Sequence, residues 1–147
     1  STPSNSSAAS DVYKRQVVST PDLPSISDAD RVIGLLEGSG FDSEQIKLIV
    51  NRIKPKMVKR GEMLTKEDIV EVLAVQLLGL IPDTDEMVIA TNRGIPVSLN
   101  GNEGVARTFE NIARRLKGQP VNVEEDIPAE KLGFVEAFLR LFRRTRG

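Results

Sequence analysis

Ile46-Lys47-Leu48-Ile49-Val50-Asn51-Arg52-Ile53-Lys54-Pro55 changes character half-way along. Leu48, Ile49 and Val50 form an unbroken apolar run, Asn51 and Arg52 interrupt it, and Pro55 stops the stretch. A continuous apolar run suits a strand covered on both faces, as in a parallel α/β sheet. Polar groups at the carboxyl end of such a strand stand where open α/β sheets place their ligands. Asn51 and Arg52 are therefore candidate site residues; the plainer reading is a strand that ends in two solvated side chains.

The rest of the chain supports an alternation of strands and helices. Val17 to Thr20 reads as the end of a strand closed by Pro21. Ser27 and Asp30 resemble a capping box before Val32, Ile33, Leu35 and Leu36, and Gly38-Ser39-Gly40 ends that helix. After the Ile46 strand, residues 54–61 read as a basic loop with Lys54, Lys56, Lys59 and Arg60, which could touch an acidic partner or lie solvated. Thr65 and Asp68 cap a second helix with Ile69, Val70, Val72, Leu73 and Leu77 inward. Leu78 to Ile81 is a short buried strand ending at Pro82-Asp83. Asp83 and Glu86 start a third helix through Val88, Ile89 and Ala90, stopped by Gly94. Pro96 to Leu99 is read as a short strand. A fourth helix, about 102–117, turns Val105, Ala106, Phe109, Ile112, Ala113 and Leu116 inward. Strands alternating with helices predict a three-layer α/β fold on a mostly parallel sheet.

Composition bounds the chemistry. The 147 residues contain no Cys and no His. Thiol nucleophiles, thiolate or imidazole metal sites and the usual neutral-pH base are thereby excluded from the chain. No apolar run reaches the roughly 18 residues of a membrane span, and no secretory signal is visible. The C-terminal 17 residues carry +4 and the first 16 carry +1; with −1 overall, the body between them carries −6. An acidic body argues against nucleic acid as a partner. The basic end therefore has a different one.

Residues 1–16 are Ser-rich and aperiodic, and are expected to be a disordered or adapter-derived segment. Residues 17–118 form the folded body, and 119–130 read as an acidic, Pro-bearing linker. Residues 131–147 form an amphipathic helix. At ~100° per residue, Phe134, Val135, Phe138, Leu139, Leu141 and Phe142 share one face, and Glu136, Arg140, Arg143 and Arg144 the other. Aromatic on one side and Arg-rich on the other is the pattern of a helix lying in an anionic membrane interface. Packing on its own domain or a protein partner is the competing reading.

Thr-Pro-Asp at 20–22 with Ser-Asp-Ala-Asp-Arg at 27–31, Asn-Arg at 51–52, Arg-Gly-Glu-Met-Leu-Thr-Lys-Glu-Asp at 60–68, Leu-Leu-Gly-Leu-Ile-Pro-Asp at 77–83 and Ala-Thr-Asn-Arg-Gly-Ile-Pro-Val at 90–97 occur in that order. With the terminal helix they resemble the MinD family of septum-site-determining ATPases, over about residues 17–147. Ile95 departs from the Glu more usual there. The resemblance implies the C-terminal half of a deviant P-loop ATPase: peripheral at the inner face of the cell membrane, dimeric on ATP with Mg²⁺, with a division inhibitor and an ATPase-stimulating protein as partners. It gives Asn51, Arg52, Pro82 and Asp83 a role at the nucleotide. The Asn amide matches the N6/N7 edge of adenine; Asp83 could instead only cap a helix. No G-x-x-x-x-G-K-[ST] loop occurs in the chain, so phosphate chemistry and tight nucleotide binding are not expected of this stretch alone. A non-enzymatic interaction module and a DNA-partition relative are the alternative readings.

Overall fold

The central strand, β2 (Ile46–Ile53), has a parallel neighbour on each side, β1 (Arg15–Ser19) and β3 (Gln76–Pro82). The computed structural model describes residues 15–101 and 103–127. Alternation along β2 sends Leu48 and Val50 to one face and Ile49 to the other. On the first face they meet Ile26, Ala29 and Ile33 of α1 (Leu23–Gly38), and Ile69 and Leu73 of α3 (Lys66–Leu73). On the second, Ile49, Leu78 and Ile81 pack with Ala90 of α4 (Asp85–Arg93), and with Val105 and Ile112 of α5 (Gly104–Leu116). This is the three-layer α/β arrangement with a parallel sheet that the strand pattern predicts.

Several boundaries differ from the sequence reading, each for a local reason. β1 takes in Arg15 and Gln16, which the sequence places in the aperiodic segment 1–16, with Arg15 opposite Ile46 and its guanidinium 4.7 Å from the centre of the Phe41 ring. Helix α1 starts before Ser27: Asp22 is the cap, accepting from Ser25 N at 3.0 Å, and Pro24 sits in the first turn, where its missing N–H costs nothing. The basic loop contains a short helix, α2 (Pro55–Lys59), also begun by a proline. The Thr65/Asp68 capping box is present as expected, but Val72 is exposed and Leu77 belongs to β3. Thr84, not Asp83, caps α4. Residues Val97–Leu99 form a 3₁₀ turn instead of a strand, burying only Val97; three residues after a proline gain more by filling the α4–α5 seam than by extending a sheet they do not reach. In α5 Ala113 is exposed, whereas the polar Thr108 and Asn111 are buried.

Between β2 and β3 the register slips once in each strand. Leu48 faces Leu77 and Ile49 faces Gly79, so Leu78 is an extra residue. A Cβ at Gly79 would collide with Ile112 and press on the Asp126 carboxylate, which explains the glycine. Within the acidic stretch 119–130 expected to form a linker, residues 121–127 pack on β3 through a 3₁₀ turn (Val123–Asp126) with Asp126 buried. The proposed membrane residues Phe134, Val135, Phe138, Leu139, Arg140, Leu141, Phe142, Arg143 and Arg144 lie outside the described residues, as do residues 1–14. Among the described residues no helix is long and apolar enough to cross a membrane.

Candidate nucleotide site

All three strands are parallel, so their carboxyl ends share one rim of the sheet. Asn51 and Arg52 are on that rim because β2 bulges there. Val50 faces Leu80 and Ile53 faces Pro82, so two β2 residues oppose the single Ile81 of β3. The bulge forces Arg52 into left-handed backbone, φ +62°. Asn51 Oδ1 accepts the Arg52 N–H at 2.9 Å, so the side chain takes up an amide that has left the ladder. The Asn51 Nδ2 has no partner among the described residues. Arg52 is exposed, and its guanidinium makes no ion pair among the described residues.

Asp83 comes to the same rim from β3. Its N–H donates to Ile53 O at 2.8 Å, which ties the two strand ends together. Its carboxylate lies 3.5 Å from Lys54 Nζ, a half-exposed ion pair that orients more than it stabilises. Pro82 is buried beneath it. The four residues singled out from sequence thus line one cleft of about 330 Å³, closed on the far side by Met87, Val88, Thr91 and Asn92 of α4. Arg52 and Asp83 also line a smaller concavity of about 200 Å³ with Thr20, Asp22 and Lys54. Two larger hollows exist. One of about 610 Å³ runs along β1 and α1, and one of about 400 Å³ lies between α4 and Val97. The first also takes in Ser19, Thr20 and Asn51, but neither includes Arg52, Pro82 or Asp83.

The cleft lining sets an unpartnered Asn51 NH₂ and a second lone pair on Oδ1 beside the apolar Pro82, Met87 and Val88. Among the described residues no three acidic side chains gather as a metal site would need.

No family model matches the chain. It is 49% identical over 130 residues to the septum site-determining protein MinD of Thermotoga maritima, covering 88% of this chain and 48% of that protein. The solved MinD cell division protein of Aquifex aeolicus superposes with a TM-score of 0.71 at 44% identity, over 75% of this chain and 46% of that one. The chain belongs to the MinD family. A second Aquifex aeolicus structure, a MinC:MinD cell division protein complex, matches at 45% identity and a TM-score of 0.70, over 75% of this chain and 45% of that one. The chain thus spans about half the length of the MinD relatives it matches.

Sequence reasoning passed over one polar cluster. Arg115 and Asp126 form a buried ion pair, with side chains 8% and 0% exposed, against the outer side of β3. By sequence alone Asp126 is one more acid of the expected linker 119–130. The signal available was Thr108, Asn111 and Arg115, which recur at i, i+3 and i+7 and so put a polar stripe on an otherwise apolar helix face.

Proposed function

We propose that this chain supplies the base-binding part and the C-terminal membrane attachment of a MinD-like ATPase acting in division-site selection. The observation that supports this reading most is the meeting of Asn51, Arg52, Pro82 and Asp83, from two strand ends, on one cleft at the carboxyl rim of a parallel sheet. In this reading Asn51 reads the Watson–Crick or Hoogsteen edge of adenine, the Pro82–Asp83 backbone flanks the ring, and Arg52 reaches toward ribose or phosphate. ATP, when bound with Mg²⁺, supplies the cleavable phosphoanhydride. The groups that hold its phosphates and metal are assigned to parts of the full-length protein outside this stretch.

The basic aromatic helix at 131–147 would attach the protein to an anionic membrane surface from the cytoplasmic side. The Aquifex aeolicus complex of MinC with MinD supports a division inhibitor as a protein partner. Dimerisation on ATP, and a second partner that stimulates hydrolysis, complete the cycle by family resemblance.

Nucleotide titration of the full-length protein carrying Asn51→Ala tests the base assignment. Loss of a hydrogen-bonding partner at a buried edge costs about 1–3 kcal/mol. ATP affinity should fall by that amount and the preference for adenine over guanine should fall with it. Unchanged affinity for both nucleotides would leave Asn51 as a bulge-stabilising residue only.

A further inference from the structure

A strand at the edge of a sheet leaves alternate N–H and C=O groups without a strand partner. β3 is such an edge in the described sheet, yet two of its backbone groups are taken by side chains. Asp126 Oδ2 accepts from Leu80 N at 3.0 Å, and Arg115 Nη1 donates to Leu78 O at 2.9 Å. The two side chains also join each other, Nη1 to Oδ2 and Nη2 to Oδ1, both at 2.8 Å. Pro82, next outward along the strand, brings no N–H at all. The pair is held from behind as well. Arg115 donates to Val121 O and Asn122 O, both at 2.7 Å, and Thr108 Oγ1 donates to Asp126 O at 2.9 Å. β1, the other edge, has no comparable cover among the described residues, and Val18 on it is 59% exposed.

We propose that Arg115 and Asp126 are a side-chain substitute for a fourth strand, sealing β3 against strand addition and rooting the segment from which the C-terminal tail departs. A buried ion pair gives little stability compared with apolar residues of the same volume. Apolar residues could fill this space, but they could not accept from Leu80 N or donate to Leu78 O. The pair satisfies both groups, and each of its own polar atoms in turn finds a partner: no buried side-chain nitrogen or oxygen among the described residues lacks one. The two side chains hold residues 121–127 against β3, so both are positioning residues.

Amide hydrogen exchange on the intact protein tests this without a mutation. Leu80 N–H should exchange in the same slow class as Val50 N–H of the central strand; exchange at the rate of an open edge would overturn the proposal. Two variants separate the seal from an ordinary ion pair. Asp126→Ala should lose roughly 10- to 100-fold of the protection at Leu80 and associate with rising concentration. Asp126→Asn, whose amide oxygen still accepts from Leu80 N, should keep most of that protection although the ion pair is gone. Equal loss at Leu80 in both variants, or a uniform loss across β2 and β3, would show a structural salt bridge and no seal.

Discussion

Arg52 holds a long side chain on left-handed backbone, φ +62°, in a bulge that Asn51 closes with its own side chain. Left-handed backbone costs a non-glycine residue roughly 1–2 kcal/mol, and such outliers gather at functional sites. A glycine would relieve the strain but lose about 0.5–1 kcal/mol of unfolded-state entropy. Arg52→Gly should therefore leave stability within about 1 kcal/mol of the native protein, while nucleotide affinity of the full-length protein falls. Urea denaturation and nucleotide titration on the same variant separate the two: a stability loss well beyond that figure with unchanged affinity would make Arg52 a folding residue. The position of this pair was legible in the sequence, but its geometry was not. An apolar run ending in Asn-Arg says that a strand ends; it does not say that two residues will oppose one, which depends on how β3 pairs.

Helix ends carry the clearest titration behaviour. Hydrogen bonds from Thr20, and then from the Ser25 backbone N–H, hold the Asp22 carboxyl below its ordinary value. Asp68 is lowered by the Thr65 hydroxyl first and the Thr65 backbone N–H second. A carboxyl depressed by folding binds fewer protons folded than unfolded, so its contribution is present above the ordinary Asp value of about 3.9. It is lost as pH falls through the folded value. Urea midpoints measured from pH 6 down to pH 2.5 should drop on the acid side, and Asp68→Asn should make that drop shallower; an identical acid limb would remove the α3 cap from the account. The Thr65 box was legible because its four residues are contiguous. The Asp22 cap was hidden by a similar pattern at Ser27, and the packing of Asp126 was not legible at all, since its partners lie on α5 and β3. At the C-terminal end, the proposed helix of 131–147 would be only ~26 Å long at ~1.5 Å per residue. Six apolar side chains buried in an interface would give roughly 9–18 kcal/mol against an ordering cost of about 15–30 kcal/mol that backbone hydrogen bonding partly offsets, so under the proposed function one tail should attach marginally and two, on a dimer, firmly. Full-length protein should bind vesicles containing anionic lipid, more weakly at high salt, and Phe138→Glu should abolish that binding with the body still folded. Equal vesicle binding by Phe138→Glu would assign the helix to a protein partner.

At the scale of the molecule the sheet is asymmetric. The β3 edge meets Arg115 and Asp126. Along β1 lies a hollow of about 610 Å³ that Asn51 also lines, and exposed Val18 and Leu23 stand beside it. Among the described residues the uncovered β1 edge thus lies next to the candidate base site, and under the proposed function the nucleotide would be held between this stretch and the remainder of the full-length protein. The layer order and parallel sheet were legible from the run at 48–50 and the spacing of the helices, because both depend on local periodicity. The gathering of Asn51 and Asp83 on one rim followed from parallel pairing; the part played by α4 as the far wall did not, since Met87 and Thr91 look like any helix surface. The central claim is that this rim holds the base. Photo-crosslinking of the full-length protein with an azidoadenine nucleotide, followed by peptide mapping, tests it most directly. The account predicts label within residues 51–52 and 82–92, displaced by ATP and poorly by GTP, and label found only outside those two segments would contradict it.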